Sequence, residues 1–292
     1  MTRLVLWMLA GLCALAAPHP AGAQDAATPA KMLFGAVARP APPPAKAIGF
    51  YSKGCLAGAV ALPVNGPTWQ VMRLSRNRNW GHPELIAFIT RFAADVPRLS
   101  SWPGILVGDM AQPRGGPMRT GHASHQLGLD VDIWLTPSPG VQLSQEARET
   151  LSASQMVRAD RLDVDKAVWT ADHVAVIRAA AAAPDVERVF VNAAIKKALC
   201  RDARGDRSWL TKVRPYWGHD SHMHVRLSCP ADSPQCRPQD SVPDGEGCGA
   251  ELAWWFTDEV LHPKPPKEPA KPKPPLILQD LPAACAGVLS AR

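Results

Sequence analysis

The sequence predicts an α+β fold, a small antiparallel sheet with flanking helices and disulfide-stapled loops and tail. Three observations carry that expectation. Three capped segments show helical spacing of apolar residues, and four short runs are rich in β-branched and apolar residues. Histidine and aspartate recur at alternate positions of two of those runs, which places them together on one face of a sheet. Six cysteines follow the N-terminal leader, an even number suited to stapling loops in an exported chain.

Residues 1–23 read as a signal peptide. Arg3 is the positive start, LVLWMLAGLCALAA the apolar stretch, and Ala21-Gly22-Ala23 the small-residue cleavage site. A lipid anchor on Cys13 is the competing reading, but Leu12 occupies a position that calls for a small residue. No later apolar run is long enough to cross a bilayer, so the mature chain is expected outside the cytoplasm, secreted or periplasmic, without a membrane span. Residues 24–47, rich in Ala and Pro, are expected to be extended.

The ordered domain is expected over 48–261, with no internal repeat. Within it, His82-Pro83-Glu84 opens a helix through LIAFITRFAADV, Thr170 can cap ADHVAVIRAAAAA, and Asn192 can cap AAIKKALC. The runs GILVGDM, LDVDIWL, VERVFV and HMHVRL are expected to be strands. The segment 262–275, HPKPPKEPAKPKPP, can be neither helix nor inner strand because proline lacks a donor and fixes φ; it reads as a stiff linker. Residues 276–292 then form a tail that carries Cys285, consistent with stapling back to the body. Spacing alone does not choose the pairing of Cys55, Cys200, Cys229, Cys236, Cys248 and Cys285.

A chain of 292 residues can bury a substantial core. Its formal charge of +6 is spread over scattered positions and the Pro-rich tail. Nucleic acid is therefore not an expected partner, because no basic helix interleaved with aromatics is present.

Chemistry concentrates in two of the predicted strands. In LDVDIWL, Asp130, Asp132 and Trp134 share one face and Leu129, Val131 and Ile133 the other; in HMHVRL, His222 and His224 share a face opposite Met223, Val225 and Leu227. Two adjacent strands can thus aim His125, Asp132 and His224 at one point. Two imidazoles and a carboxylate suit catalytic zinc, which uses three protein ligands plus water. Their summed charge leaves the centre positive, which acidifies the bound water. His222 is placed to act as base or transition-state donor, and His219 to orient it or contact an oxyanion. His173 and His82 read as structural, His262 belongs to the linker, and Trp217, beside His219, is the tryptophan most suited to a substrate groove.

The arrangement Ser-His-x6-Asp with a later His-x-His resembles the metallopeptidases that group lysostaphin-like enzymes, D-Ala-D-Ala peptidases and the hedgehog signalling domain. A fuller resemblance, to the penicillin-insensitive murein endopeptidases, runs through TGHASHQLGLDVDIW, RVFVNAAIKKALC, WLTKVRPYWGHDSHMHVRLSCP and DGEGCGAEL. It implies a zinc enzyme that cuts D-alanyl–meso-diaminopimelyl cross-links of peptidoglycan, with His125, Asp132 and His224 as zinc ligands and His222 and His219 as active-site histidines. It implies disulfides Cys55–Cys285, Cys200–Cys248 and Cys229–Cys236. It also implies a candidate second metal at His122, Asp160 and Asp163, the last an aspartate where the family pattern carries histidine. Two other readings compete: a D,D-carboxypeptidase or dipeptidase of the same chemistry, and a zinc-stabilised wall-binding module without turnover.

Overall fold

The computed structural model describes residues 28–266 and 273–292. The expected signal peptide lies outside the described residues, as do positions 267–272 of the expected linker. In chain order the strands are β1 (Lys46–Phe50), β2 (Lys53–Ala57), β3 (Val60–Ala61), β4 (Trp69–Val71), β5 (Trp80–Gly81), β6 (Ile105–Val107), β7 (Asp130–Trp134), β8 (Val186–Val191), β9 (Val213–Pro215) and β10 (His222–Leu227). The helices are α1 (Ala30–Phe34), α2 (Pro83–Leu99), α3 (Gln145–Thr150), α4 (Ala171–Ala182), α5 (Ala193–Asp202), α6 (Ala250–Trp254), α7 (Asp258–Leu261) and α8 (Ala284–Ser290).

The main sheet is larger than the small antiparallel one expected, and it is mixed. Six strands run in the order β4-β6-β7-β10-β8-β9. The inner pairs are antiparallel, while β4 pairs with β6 and β8 with β9 in parallel. The outer strands β4 and β9 hold three residues each, WQV and VRP, which lack the apolar, β-branched run that marks the equally short β6, ILV. Parallel neighbours need a crossover, and α2 and α5 are the helices that lie between the paired strands in sequence.

Alternation along β7 and β10 divides the sheet into an apolar and a polar face. Val131, Ile133, Met223, Val225 and Leu227 join Val107, Val189 and Val191 in the main core, together with Leu85, Phe88, Ile89 and Phe92 of α2 and Val176, Ile177 and Ala180 of α4. Each fully buried side chain of that size stabilises the fold by about 1.5–3 kcal/mol. Three expected helices appear with identifiable caps. His82 Nδ1 accepts from the Glu84 amide, Asn192 Oδ1 accepts from the Ala194 amide, and at Thr170 the side chain of His173 accepts from the capping residue's own amide at 3.0 Å.

The N-terminal segment, expected to be extended over 24–47, instead contains α1, and β1 begins at Lys46. The run AKMLF turns helical because the tail supplies an apolar partner. Ala30 and Phe34 pack with Ile48, Leu281, Val288, Leu289 and the Cys55 and Cys285 pair in a second small core. The cysteines meet as Cys55–Cys285, Cys200–Cys248 and Cys229–Cys236. Among the described residues, no helix is long and apolar enough to cross a membrane.

Candidate metal centre

The polar face of β7 and β10 is assembled by register. His222 lies opposite Trp134, His224 opposite Asp132, and Arg226 opposite Asp130. Opposed residues on one face bring their side chains into contact, so imidazole meets carboxylate without any loop having to reach across. His125 arrives from the turn before β7. It holds a left-handed backbone (φ 65), and its amide donates to Asp130 Oδ2 at 2.9 Å. Gly128, between His125 and Asp132, also has positive φ, and a Cβ there would fall 2.3 Å from Leu56 Cδ2. Only glycine fits that turn.

Asp132 is the hub. Its Oδ1 lies 3.4 Å from His125 Nε2, 3.3 Å from His224 Nδ1 and 3.8 Å from His222 Nε2, and its Oδ2 lies 3.4 Å from His122 Nε2. His122, His125 and Asp132 bring ligand atoms that all lie within 4.8 Å of one another. His224 meets the same carboxylate through Oδ1. Four side chains read from the sequence therefore converge on one point.

The donor atoms fit a cation. His125 is fully buried with neither ring nitrogen hydrogen-bonded, and the buried Asp132 Oδ1 is likewise unpaired. Orphaned buried polar atoms are costly, and facing lone pairs on nitrogen and carboxylate oxygen are what a metal ion would satisfy. His224 is oriented for this, since its Nε2 bonds Asp130 Oδ1 at 2.9 Å and leaves Nδ1 toward Asp132. Asp130 is in turn held by Arg226 Nε at 2.7 Å. Such a carboxylate–histidine pair fixes the tautomer and sharpens the ligand.

Electrostatics divide the histidines. Burial pushes His125 below its usual range, and burial likewise lowers His222. Burial also lowers His219, to about 4, aided by the neighbouring His224 and His222. His224 goes the other way: burial opposes charging, but Asp130 and Asp132 outweigh it and raise the pKa to about 9. His219 sits 4.8 Å from His222 between ring centroids, and its Nδ1 donates to the Trp217 carbonyl at 2.8 Å, which leaves Nε2 as an acceptor. Its φ of 55 is maintained by the start of α5, where the Asn192 amide donates to the His219 carbonyl and Asn192 Nδ2 to the Gly218 carbonyl.

Of the residues read as a second metal set, Asp160 pairs with Arg158 and Asp163 with Arg201, whereas His122 stands at the centre with His125 and Asp132, its Nε2 also 3.0 Å from Asp109 Oδ2. Asp109 and Asp130 received no role from sequence. Asp130 carried a signal in its shared face with Asp132, whereas Asp109 lies near the end of the run GILVGDM with nothing to mark it. Two cavities flank the centre. One, of about 480 Å³, is walled by aromatics including Phe190, Tyr216 and Trp217, and the other, of about 270 Å³, by Arg73, Arg76 and Asp109. His122 and His222 line both.

A mixed sheet carrying buried imidazole and carboxylate ligand atoms beside neutral histidines, and open to a cavity, defines the class of metal-site hydrolases. Within that class, the chain belongs to the penicillin-insensitive murein endopeptidase family, whose model matches residues 47–290. Relatives bearing that name include proteins from Yersinia enterocolitica (46% identical, covering 91% of this chain and 94% of the relative) and Pectobacterium atrosepticum (45%, covering 89% of each). Another, from Haemophilus influenzae, is 44% identical and covers 85% of this chain and 83% of its own.

Proposed function

We propose that the protein is a periplasmic zinc endopeptidase that hydrolyses D-alanyl–meso-diaminopimelyl cross-links of peptidoglycan. The observation that carries this reading is the set of unpaired buried ligand atoms on His125 and Asp132, with His224 Nδ1 facing the same oxygen. Neutral imidazoles and one carboxylate suit zinc, and the family membership supplies the substrate class. Zinc bound there would acidify a water and polarise the scissile carbonyl.

The protein's own groups do the rest. His222 and His219, kept neutral by burial, accept and return the protons of the attacking water and the leaving amine. The free Nε2 of His219 makes it an acceptor at neutral pH, and the aromatic cavity beside it holds one arm of the cross-link while excluding water. No serine acylation is involved, so penicillin has nothing to trap. The reading takes one zinc, on His125, Asp132 and His224; Asp160 and Asp163 pair with arginines.

The test is digestion of purified sacculi by wild type and His224→Ala, with muropeptides read by mass spectrometry and metal by elemental analysis. Wild type should carry stoichiometric zinc and convert cross-linked dimers to monomers; the variant should lose both. Cross-linked dimers that persist with metal-loaded wild type would sink the reading in favour of a binding module. Loss of terminal D-alanine without loss of dimers would favour the carboxypeptidase.

A further inference from the structure

Of the two cavities that meet at the centre, the smaller sets the guanidiniums of Arg73 and Arg76 beside Asp109 and Asp132. Asp109 Oδ2 alone receives Arg76 at 3.0 Å, Arg78 at 2.8 Å and His122 at 3.0 Å. One carboxylate thus serves two guanidiniums and an imidazole. Arg73 finds only the backbone carbonyls of Arg148 and Leu151. Asp132, the second acid of the lining, faces the imidazoles, and Glu149, outside the lining, spends both oxygens on the Ser75 amide and hydroxyl. By contrast, Arg226, the cation lining the aromatic cavity, is committed to Asp130.

The geometry of the turn supports a built feature. Arg73 (φ 56) and Asn77 (φ 51) are both left-handed non-glycine residues, and they bracket the short 3-10 turn Leu74–Arg76. Such backbones are costly and are retained where surrounding contacts hold a functional side chain. The Arg73 amide donates to the Arg148 carbonyl at 3.1 Å, and the Arg73 guanidinium lies over the Trp134 ring at 5.3 Å. Arg76, with its side chain 46% exposed, keeps donors free toward the cavity.

We infer that this cavity is a carboxylate subsite in which Arg76, backed by Arg73, binds the carboxylate borne on the carbon attached to the scissile nitrogen. The inference rests on the endopeptidase reading, in which the leaving amine belongs to the D-centre of diaminopimelate. That carbon bears its own carboxylate, close enough to the reacting carbonyl for a cation adjoining the centre to reach it. A planar guanidinium matches the geometry of a carboxylate through two parallel hydrogen bonds, which a point charge does not. Arg76 then acts as a specificity-determining residue that selects amines flanked by a free carboxylate.

The experiment compares two cross-linked muropeptide dimers, one with that D-centre carboxyl free and one with it amidated, using zinc-loaded wild type, Arg76→Gln and Arg76→Lys. Wild type should show kcat/KM about tenfold or more lower on the amidated dimer. Arg76→Gln should lose most of the preference, its free-to-amidated ratio of kcat/KM falling toward one chiefly through a higher KM on the free dimer; Arg76→Lys should keep part of the preference. Because the preference is a ratio within each protein, partial unfolding of a variant does not mimic its loss. Equal cleavage of both dimers by wild type, or a preference retained in Arg76→Gln, would overturn the inference while leaving the endopeptidase reading intact. If wild type cleaved neither dimer, the endopeptidase reading would fall and the inference with it.

Discussion

Asp130 is buried on the same face as Asp132, yet the two carboxylates do different work. Asp132 presents unpaired oxygen to three imidazoles, while both oxygens of Asp130 are consumed by Arg226, His224 and the His125 amide. Asp130→Asn should therefore weaken zinc binding about 10–100-fold without removing a ligand, as outer partners of metal-ligating histidines do. A competition titration against a chelator measures this, and an unchanged affinity would remove Asp130 from the site's support. The raised pKa of His224 has a consequence of known sign. Without metal the ring is protonated at pH 7 and below about 9, and ligation through Nδ1 requires that proton to leave. Zinc uptake at pH 7 should release about one proton, and apparent affinity should climb by up to about tenfold per pH unit before levelling near pH 9. Proton release in weak buffer checks it. A pH-independent affinity between 6.5 and 8.5 would contradict the prediction.

At the scale of elements, the site depends on how strand register and one helix start are coupled. Asn192 caps α5 through Oδ1 while its backbone and Nδ2 hold the 218–219 turn. Asn192→Ala should cost about 1 kcal/mol from the lost cap. It should lower kcat more than that loss explains, because the left-handed His219 would be released. Thermal melts and steady-state kinetics on the same samples separate the two effects; a fall in melting temperature with unchanged kcat would mean that the turn holds itself. The elements that position the site were legible in sequence where they carried strong local signals. Helices α2, α4 and α5 announced themselves by cap residues and apolar spacing, and β7 and β10 by alternation. Strands β4 and β9 did not, because WQV and VRP each break the apolar run with a polar residue whereas the equally short β6 is ILV, and α1 did not, because its partner lies far away in the tail.

The molecule as a whole is closed by its ends. Cys55 and Cys285 are joined across 230 residues, and Arg114 clamps the carbonyls of Val288 and Ala291 together with that of Arg39. Replacing both Cys55 and Cys285 by serine should destabilise the protein by about 2–5 kcal/mol. The lost cross-link frees a long unfolded loop and exposes the small core under α1 and α8. Activity per folded molecule should survive at low temperature, since the metal centre lies on the main sheet rather than in that core. Chemical denaturation of oxidised wild type and the double variant is the measurement, and equal midpoints would show that the tail is held by packing alone.

Local pattern in the chain is enough to say which residue types lie on which face. Alternation placed Asp130, Asp132, His222 and His224 away from the apolar layer, and motif likeness pointed to the family and to the ligand set. Which atoms meet depends on the folded chain. His224 and Asp130 bond across 94 residues, His122 faces Asp109 while Asp160 and Asp163 go to arginines, and Arg73 and Arg76 come to wall the same centre. Periodicity is a local property of a chain, repeating every two or every 3.6 residues, and it encodes burial. Contacts between distant residues depend on strand order and register, which are set by packing the whole core at once.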